Sequence, residues 1–438
     1  MNQTKLIICL SAILLIQDVL ANDDIPSLPS FSHESVTDSS SQALGSLSLD
    51  LKSQAMADWA EHDSPIASGR ISTRLYGQGN ISDSLSIELN TRLRSQINSR
   101  EHYQAEKNIR LDIQSLALNY TPTENWHWIA GRTNIRNGVA SGFNPTDWFK
   151  NNSQVIFESL DTTDRREDRL GVFALMGVWL NTDSVLSFGY RPNLPVKSKT
   201  VASNSKVIGM GLDRTNNQDA FFIKYSPSPA SWNNLSLTVS SLYQSTQPSL
   251  GTELSLTVLD NLVLYSEWFV QRRQNLADEA QSNIGNQRFY HQLVNGVTWS
   301  LPESLVDNKD ISMSLEYHFN EAGLKQSQLG SWRRAIAHSD WRARSIASLA
   351  NIKQEPLAQQ QFFNRMVWNN FWKNNDLSII TTVTPMDGSG FSQVTLSTPV
   401  MPALRMNLQG YHYFGSHNTI YGSTGRKGGI MLSFTYTI

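Results

Sequence analysis

Charged side chains that recur at every second position are the residues of this sequence best placed to do chemistry. Arg92 and Arg94 share one parity with Glu88, Arg110 shares one with Asp112, and Lys224, Glu267 and Glu316 occupy the polar parity of three further segments. On a wall around water, rings of such charge select ions or charged solutes by their local field. Turned toward one another, the same groups neutralise in pairs and brace the wall or a plug. Neither sign prevails, so both readings stand. A second cluster, Arg132, Asn134, Arg136, Asn144 and Asp147, is interrupted by Gly138 and Gly142, which permit tight bends. It suits a loop whose charges line a constriction, or equally a turn that caps the architecture. The basic run Arg165, Arg166 and Arg169 beside Glu167 and Asp168 reads as a solvated loop face.

No constellation of catalytic or cofactor-binding residues accompanies these charges. His338, Ser339 and Asp340 are the residue types of a triad, but adjacent positions point in different directions and cannot align as nucleophile, base and orienter. The nine His are scattered without metal-ligand spacing, and Gly209 and Gly211 lack the rest of a dinucleotide fingerprint. No metal, no cofactor and no enzymatic activity are expected. A hydrolase assembled from Ser, His and Asn on separate strands is the alternative.

The elements that must position the charges are strands. Leu85, Ile87, Leu89, Thr91, Leu93, Ser95 and Ile97 interleave with Ser86, Glu88, Asn90, Arg92, Arg94 and Gln96. That is a period of two, and a helix would scatter the same apolar residues around its surface. The pattern recurs at 186–190, 221–225, 235–240, 262–271, 311–320 and 430–438, always with one apolar face and one of Ser, Thr, Asn, Gln, Arg, Glu and Gly. Turn residues separate the runs, among them Asn80, Pro192, Asp260 with Asn261, and Asn374 with Asn375. The period lapses between 324 and 358, where Trp332, Ile336 and Trp341 indicate a long loop holding a short helix.

Composition bounds what such strands can build. Charged residues are 17% of 438 and the formal net charge is −2, which argues against a nucleic-acid binder and a highly charged disordered chain. The one cysteine, Cys9, lies in the apolar run Leu6–Ile16, between Lys5 and the small residue Ala21. Residues 1–21 therefore read as a secretory signal peptide, whose removal leaves a chain without thiols, disulfides or zinc-thiolate sites. Residues 22–68, rich in Ser, Asp and Pro, read as a periplasmic leader, and 69–438 as the main domain.

Runs of about 9–13 residues exceed the ~5–6 of a soluble sandwich and match the length that crosses an apolar band of ~25 Å at a tilt of ~35–45°. In lipid every backbone N–H and C=O must be paired, so strands can cross only as a closed cylinder. The expected fold is all-β, a closed antiparallel transmembrane β-barrel of about 14–18 strands with a short helical insertion loop.

The final strand resembles that of bacterial outer-membrane β-barrels, with alternating apolar residues, Phe434 and Tyr436, and Ile438 where Phe is usual. The segment from Gly131 and Arg132 through Asn134, Arg136, Gly138, Gly142, Asn144 and Pro145 to Asp147 is similar to one in poorly characterised porin-like and export-type barrels. The resemblance implies a barrel in the bacterial outer membrane and no particular substrate; the pore wall itself leads us to expect passive or export-type passage of small polar or amphipathic solutes without a cofactor. The resemblance also implies contact with outer-membrane lipid and lipopolysaccharide and with the barrel insertion machinery, and no nucleic acid. The alternatives are an outer-membrane component of a secretion assembly, with a periplasmic partner held through residues 22–68, and the hydrolase already named.

Overall fold

The computed structural model describes residues 47–59, 64–154, 161–194, 208–209, 212–229, 231–232, 234–245, 247–281, 287–302 and 310–438. The expected signal peptide and residues 22–46 lie outside them. Eighteen antiparallel strands, each paired with its neighbours in sequence, form one sheet, and a further two-residue strand, Ile208–Gly209, runs parallel to Leu111 and Asp112. The first strand, Leu47–Trp59, closes the cylinder on the last, Gly428–Thr437, in register from Asp50 opposite Thr437 to Trp59 opposite Gly428. Closure removes both sheet edges.

The leader ends earlier than the sequence indicates. Leu47–Trp59 and Ile66–Ser82 are wall strands, so the barrel begins at 47 rather than 69. The outward parity of the first strand reads Leu49, Leu51, Ser53, Ala55 and Ala57, too small and too weakly apolar for its alternation to stand out. Its register is supplied by the strands on either side.

Alternation sets the two surfaces. Ile87, Leu93, Leu118, Leu175, Ile223, Leu264, Leu315 and Ile430 are all exposed on the outside, whereas Ser86, Arg92, Arg94, Glu267 and Glu316 are buried inside. At one end of the barrel most connections are tight. Lys373 and Asn374 both take positive φ between Trp372 and Asn375, the geometry that matches the twist of a two-residue hairpin. At the other end most are longer, and two of these loops, 134–171 and 321–359, set the interior. The second holds two helices, Gln326–Ala337 and Trp341–Lys353, rather than one. They form a hairpin around Leu329, Trp332, Ala343, Ile346 and Ala350, which packs with Leu276, Leu324 and Leu357.

Candidate functional site

The strand that leads into loop 134–171, Trp126–Thr133, carries a residue without a side chain where the neighbouring strand approaches closely. Gly131 takes φ +135°, and a Cβ there would stand 2.7 Å from the Cα of Ala117. Arg132 opposes the outward-facing Leu116 in register, yet its side chain is fully buried and its Nε donates to the carbonyl of Gly171 at 3.0 Å. Farther along, Trp148 and Phe149 bury against Phe222, Leu242, Phe269 and Val172, an apolar patch on the inner wall. Each ring removed from water contributes on the order of 1.5–3 kcal/mol, enough to hold a loop inside.

Two wall carboxylates then grip the tip of the loop. Glu267, on the strand Leu262–Arg273, accepts from the backbone N–H of Ala140 at 2.6 Å, the Thr146 hydroxyl at 2.9 Å and the Asn144 amide at 3.3 Å. Glu316, on the strand Asp310–Asn320, accepts from the N–H groups of Ser141 at 2.6 Å and Gly142 at 2.9 Å. The hydroxyl of Tyr265, at 2.7 Å, also donates to Glu316, and His318 Nε2 stands 2.6 Å from it. The glycines fit this grip: Gly138 takes φ +91° with its Cβ position 2.7 Å from the Glu267 carboxylate, and at Gly142 a Cβ would stand 2.7 Å from the Phe363 ring. The alternation left Glu267 and Glu316 open to lining a pore or to bracing the wall or a plug. They face inward but lie under the loop, 0% and 3% exposed, and act as braces.

Within the loop, Asp147 is buried in a two-pronged pair with Arg169, at 2.7 and 3.0 Å. Arg169 also donates to Asn134 Oδ1 at 2.6 Å and to the carbonyl of Ile135 at 2.5 Å. Arg166 donates to the carbonyls of Asn137 at 2.7 Å and Ala140 at 3.2 Å. The basic run is thus an internal clamp, not a solvated face, and it binds the residues of the turn motif together. Arg136 alone of that motif stays exposed, 3.5 Å from Glu167.

The other expected pore residues hold the loop to the wall or hold one another. Asp168 pairs with Arg92 at 2.7 Å, and although burial raises its carboxyl, Arg92 with Arg74 and Lys52 brings it below the usual range. Lys224 donates to Asn137 Oδ1 at 2.8 Å and stands 3.7 Å from Glu253. Arg94 and Arg110 both pair with Asp112. Asp161 reaches Arg365 on the strand Gln360–Trp372 at 3.5 Å. The loop therefore spans the lumen, from the strand that carries Arg92 to the one that carries Arg365.

Two cavities flank it. The smaller, about 170 Å³, lies among Lys52, Arg74, Arg92, Asp164 and Asp168. The larger, about 580 Å³, lies between the loop, the helix Trp341–Lys353 and the opposite wall. Its rings are Phe143, Phe363, Phe391, Tyr413 and Tyr421, and its cations Lys150, Arg165, Arg166 and Arg426. Its two carboxylates are already committed, Asp147 to Arg169 and Glu355 to Arg273 at 2.8 Å. Four cations against two carboxylates leave positive charge in excess by count, although Arg166 also lies 3.7 Å from Asp147 and Arg426 3.8 Å from Asp58. Burial lowers Lys150 to about 8 against the pull of Asp147, Glu355 and Glu267; its ammonium donates to the carbonyl of Asn144 at 2.5 Å and lies 4.3 Å from the centre of the Phe143 ring.

Sequence reasoning did not single out Lys150, Thr146, Tyr265, His318 or the Asp147–Arg169 pair as parts of the site. The aromatic pair Trp148 and Phe149, in a loop otherwise polar, was the available sign that this segment is anchored inside.

No protein-family model and no curated protein matches the chain. Solved structures do. OpdQ of Pseudomonas aeruginosa aligns with a TM-score of 0.53 at 10% identity, over 90% of this chain and 98% of that one. The outer membrane protein opdK of the same organism aligns at 0.51 and 8%, over 90% and 99%. OccK2 (OpdF) of that organism, solved in complex with glucuronate, aligns at 0.50 and 10%, over 90% and 98%. At this identity the likeness is one of fold: the chain is a closed β-barrel of eighteen antiparallel strands, similar in fold to the outer membrane protein opdK.

Proposed function

We propose that this chain is a passive channel of the bacterial outer membrane for small solutes, with a preference for organic acids that carry a carboxylate on a ring. The observation that carries the reading is the larger cavity beside the braced loop. A chamber of about 580 Å³ lined by rings and by cations whose neighbouring carboxylates are already paired offers stacking to a ring and charge to a carboxylate. Glucuronate, held by OccK2, is a ring acid of this kind. Passage needs no bond to break, so no cofactor and no catalytic group enters the account. The secretion-assembly alternative rested on residues 22–68, of which 47–59 and 66–68 belong to the wall.

The test is swelling of liposomes that contain the purified barrel. A uronic acid should enter faster than the neutral sugar of the same size, and Arg165→Ala/Arg166→Ala should narrow the difference. Equal rates for the two solutes in the wild type would remove the acid preference, and no swelling with either would remove the channel.

A further inference from the structure

Where the constriction loop meets the helical hairpin, each side supplies a residue in a backbone conformation that L side chains rarely adopt. The helix Trp341–Lys353 is capped by Gln354 at φ 53° and ψ 47°, where glycine or asparagine is usual, and Asn152 of the loop takes φ 59°. The Asn152 N–H donates to the carbonyl of Ile352 at 3.1 Å. A glutamine kept in such a conformation points to a task for its side chain. Its amide Nε2 donates to the carbonyl of Lys150 at 2.5 Å and to the Ser153 hydroxyl at 3.3 Å, and its Oε1 accepts from Gln154 Nε2 at 2.8 Å.

Both branches of this contact end at cations of the larger cavity. One holds the backbone of Lys150, whose side chain lines that cavity beside the Phe143 ring. The other runs through Gln154, whose Oε1 accepts from Arg165 Nη2 at 2.7 Å. Gln354 is itself fixed from behind, because Glu355, the next residue, pairs with Arg273 of the strand Leu262–Arg273 at 2.8 Å and accepts from Gln292 at 2.5 Å. Lysine and arginine side chains have many rotamers, so their charge stays in one place only where backbone and neighbours are held. We infer that Gln354 is the positioning residue of this cavity, holding Lys150 and Arg165 at the wall that a permeating carboxylate meets. The inference rests on the acid preference proposed above and names a residue outside the constriction loop that sets it.

The experiment compares the full-length wild-type barrel with Gln354→Gly, which removes the side chain yet suits the turn, so that barrel and hairpin should still form. In liposome swelling at pH 7 the ratio of uronic acid to neutral sugar uptake should fall to about the level of Arg165→Ala/Arg166→Ala. The second readout is the pH at which anion preference falls in reversal-potential measurements. Lys150 is faced by Asp147, Glu267 and Glu355 and by Arg169, and burial outweighs the carboxylates. Freeing its backbone admits water, so the midpoint should move up from about 8 toward the ordinary ~10.4. Gln154→Met cuts only the branch to Arg165 and should lower the uptake ratio with the midpoint still at about 8. Either readout at its wild-type value in Gln354→Gly would overturn the inference and leave the proposed function standing. A wild type that takes up acid and sugar equally would remove both.

Discussion

Replacing Glu267 with Ala should set the constriction loop moving while leaving the barrel intact. The carboxylate accepts from four buried donors, the Ala140 N–H at 2.6 Å, the Thr146 hydroxyl at 2.9 Å, the Asn144 amide at 3.3 Å and the Thr146 N–H at 3.4 Å. Hydrogen bonds to a charged group contribute about 1.5–3 kcal/mol each, so its removal costs the tip about 6–12 kcal/mol of local anchoring. Glu316 still accepts from Ser141 and Gly142 at the tip, and Asp168 to Arg92 holds a flank of the loop, so the tip loosens without leaving the lumen. Glu267→Gln keeps one carbonyl acceptor, but neutral bonds have about half the strength of charged ones, so it should lose about 3–6 kcal/mol. Open-channel current noise in planar bilayers should therefore rise in the order wild type, Gln, Ala, and Glu316→Ala should behave as Glu267→Ala does. Heat-modifiable migration on gels checks that each barrel has formed. A quiet Glu267→Ala channel with wild-type conductance would refute the claim that this carboxylate positions the loop.

Gly138→Ala should reproduce that noise, because the new Cβ meets the Glu267 carboxylate at 2.7 Å in a backbone conformation that costs a non-glycine residue about 1–3 kcal/mol; proteolysis of the loop in intact barrels would report it. Lys150 makes the larger cavity pH-sensitive. With its amine at about 8, it is mostly charged at pH 7 and mostly neutral at pH 9, so anion preference in reversal-potential measurements should fall across that interval, and Lys150→Met should flatten the profile. The folded value lies below the ordinary ~10.4, so the folded loop binds fewer protons than an unfolded chain between the two, and loop stability rises with pH there. Tyr436→Asp places charge on the lipid-facing parity of the closing strand and should lower the amount of barrel recovered from outer membranes, read by immunoblot, whereas Ile438→Phe should be tolerated.

Period two was legible because one surface of the sheet must be apolar all round, and Leu85–Ile97 and Ile430–Ile438 display that without help from the rest of the chain. The strand Leu47–Trp59 hid for the converse reason: Ser53, Ala55 and Ala57 make its outward face weak, and pairing with Ile66–Ser82 and Gly428–Thr437 gives it a register. Alternation also assigned Arg92, Arg94, Glu267 and Glu316 to the inside. It could not say what else fills the inside, and the loop that covers Glu267 and Glu316 starts more than a hundred residues earlier in the chain. The Asp147–Arg169 clamp was illegible for a related reason: charges 22 positions apart in a loop have no period that brings them together. The bracing of a plug, one of the two readings open to the charged positions, is the arrangement that most of those residues adopt.

The central claim is that the lumen beside the braced loop is an open, anion-preferring path, and single-channel recording of the wild-type barrel under a potassium chloride gradient tests it most directly. The account predicts discrete current steps with a reversal potential displaced toward that of chloride. A silent bilayer, or steps that reverse toward potassium, would contradict it.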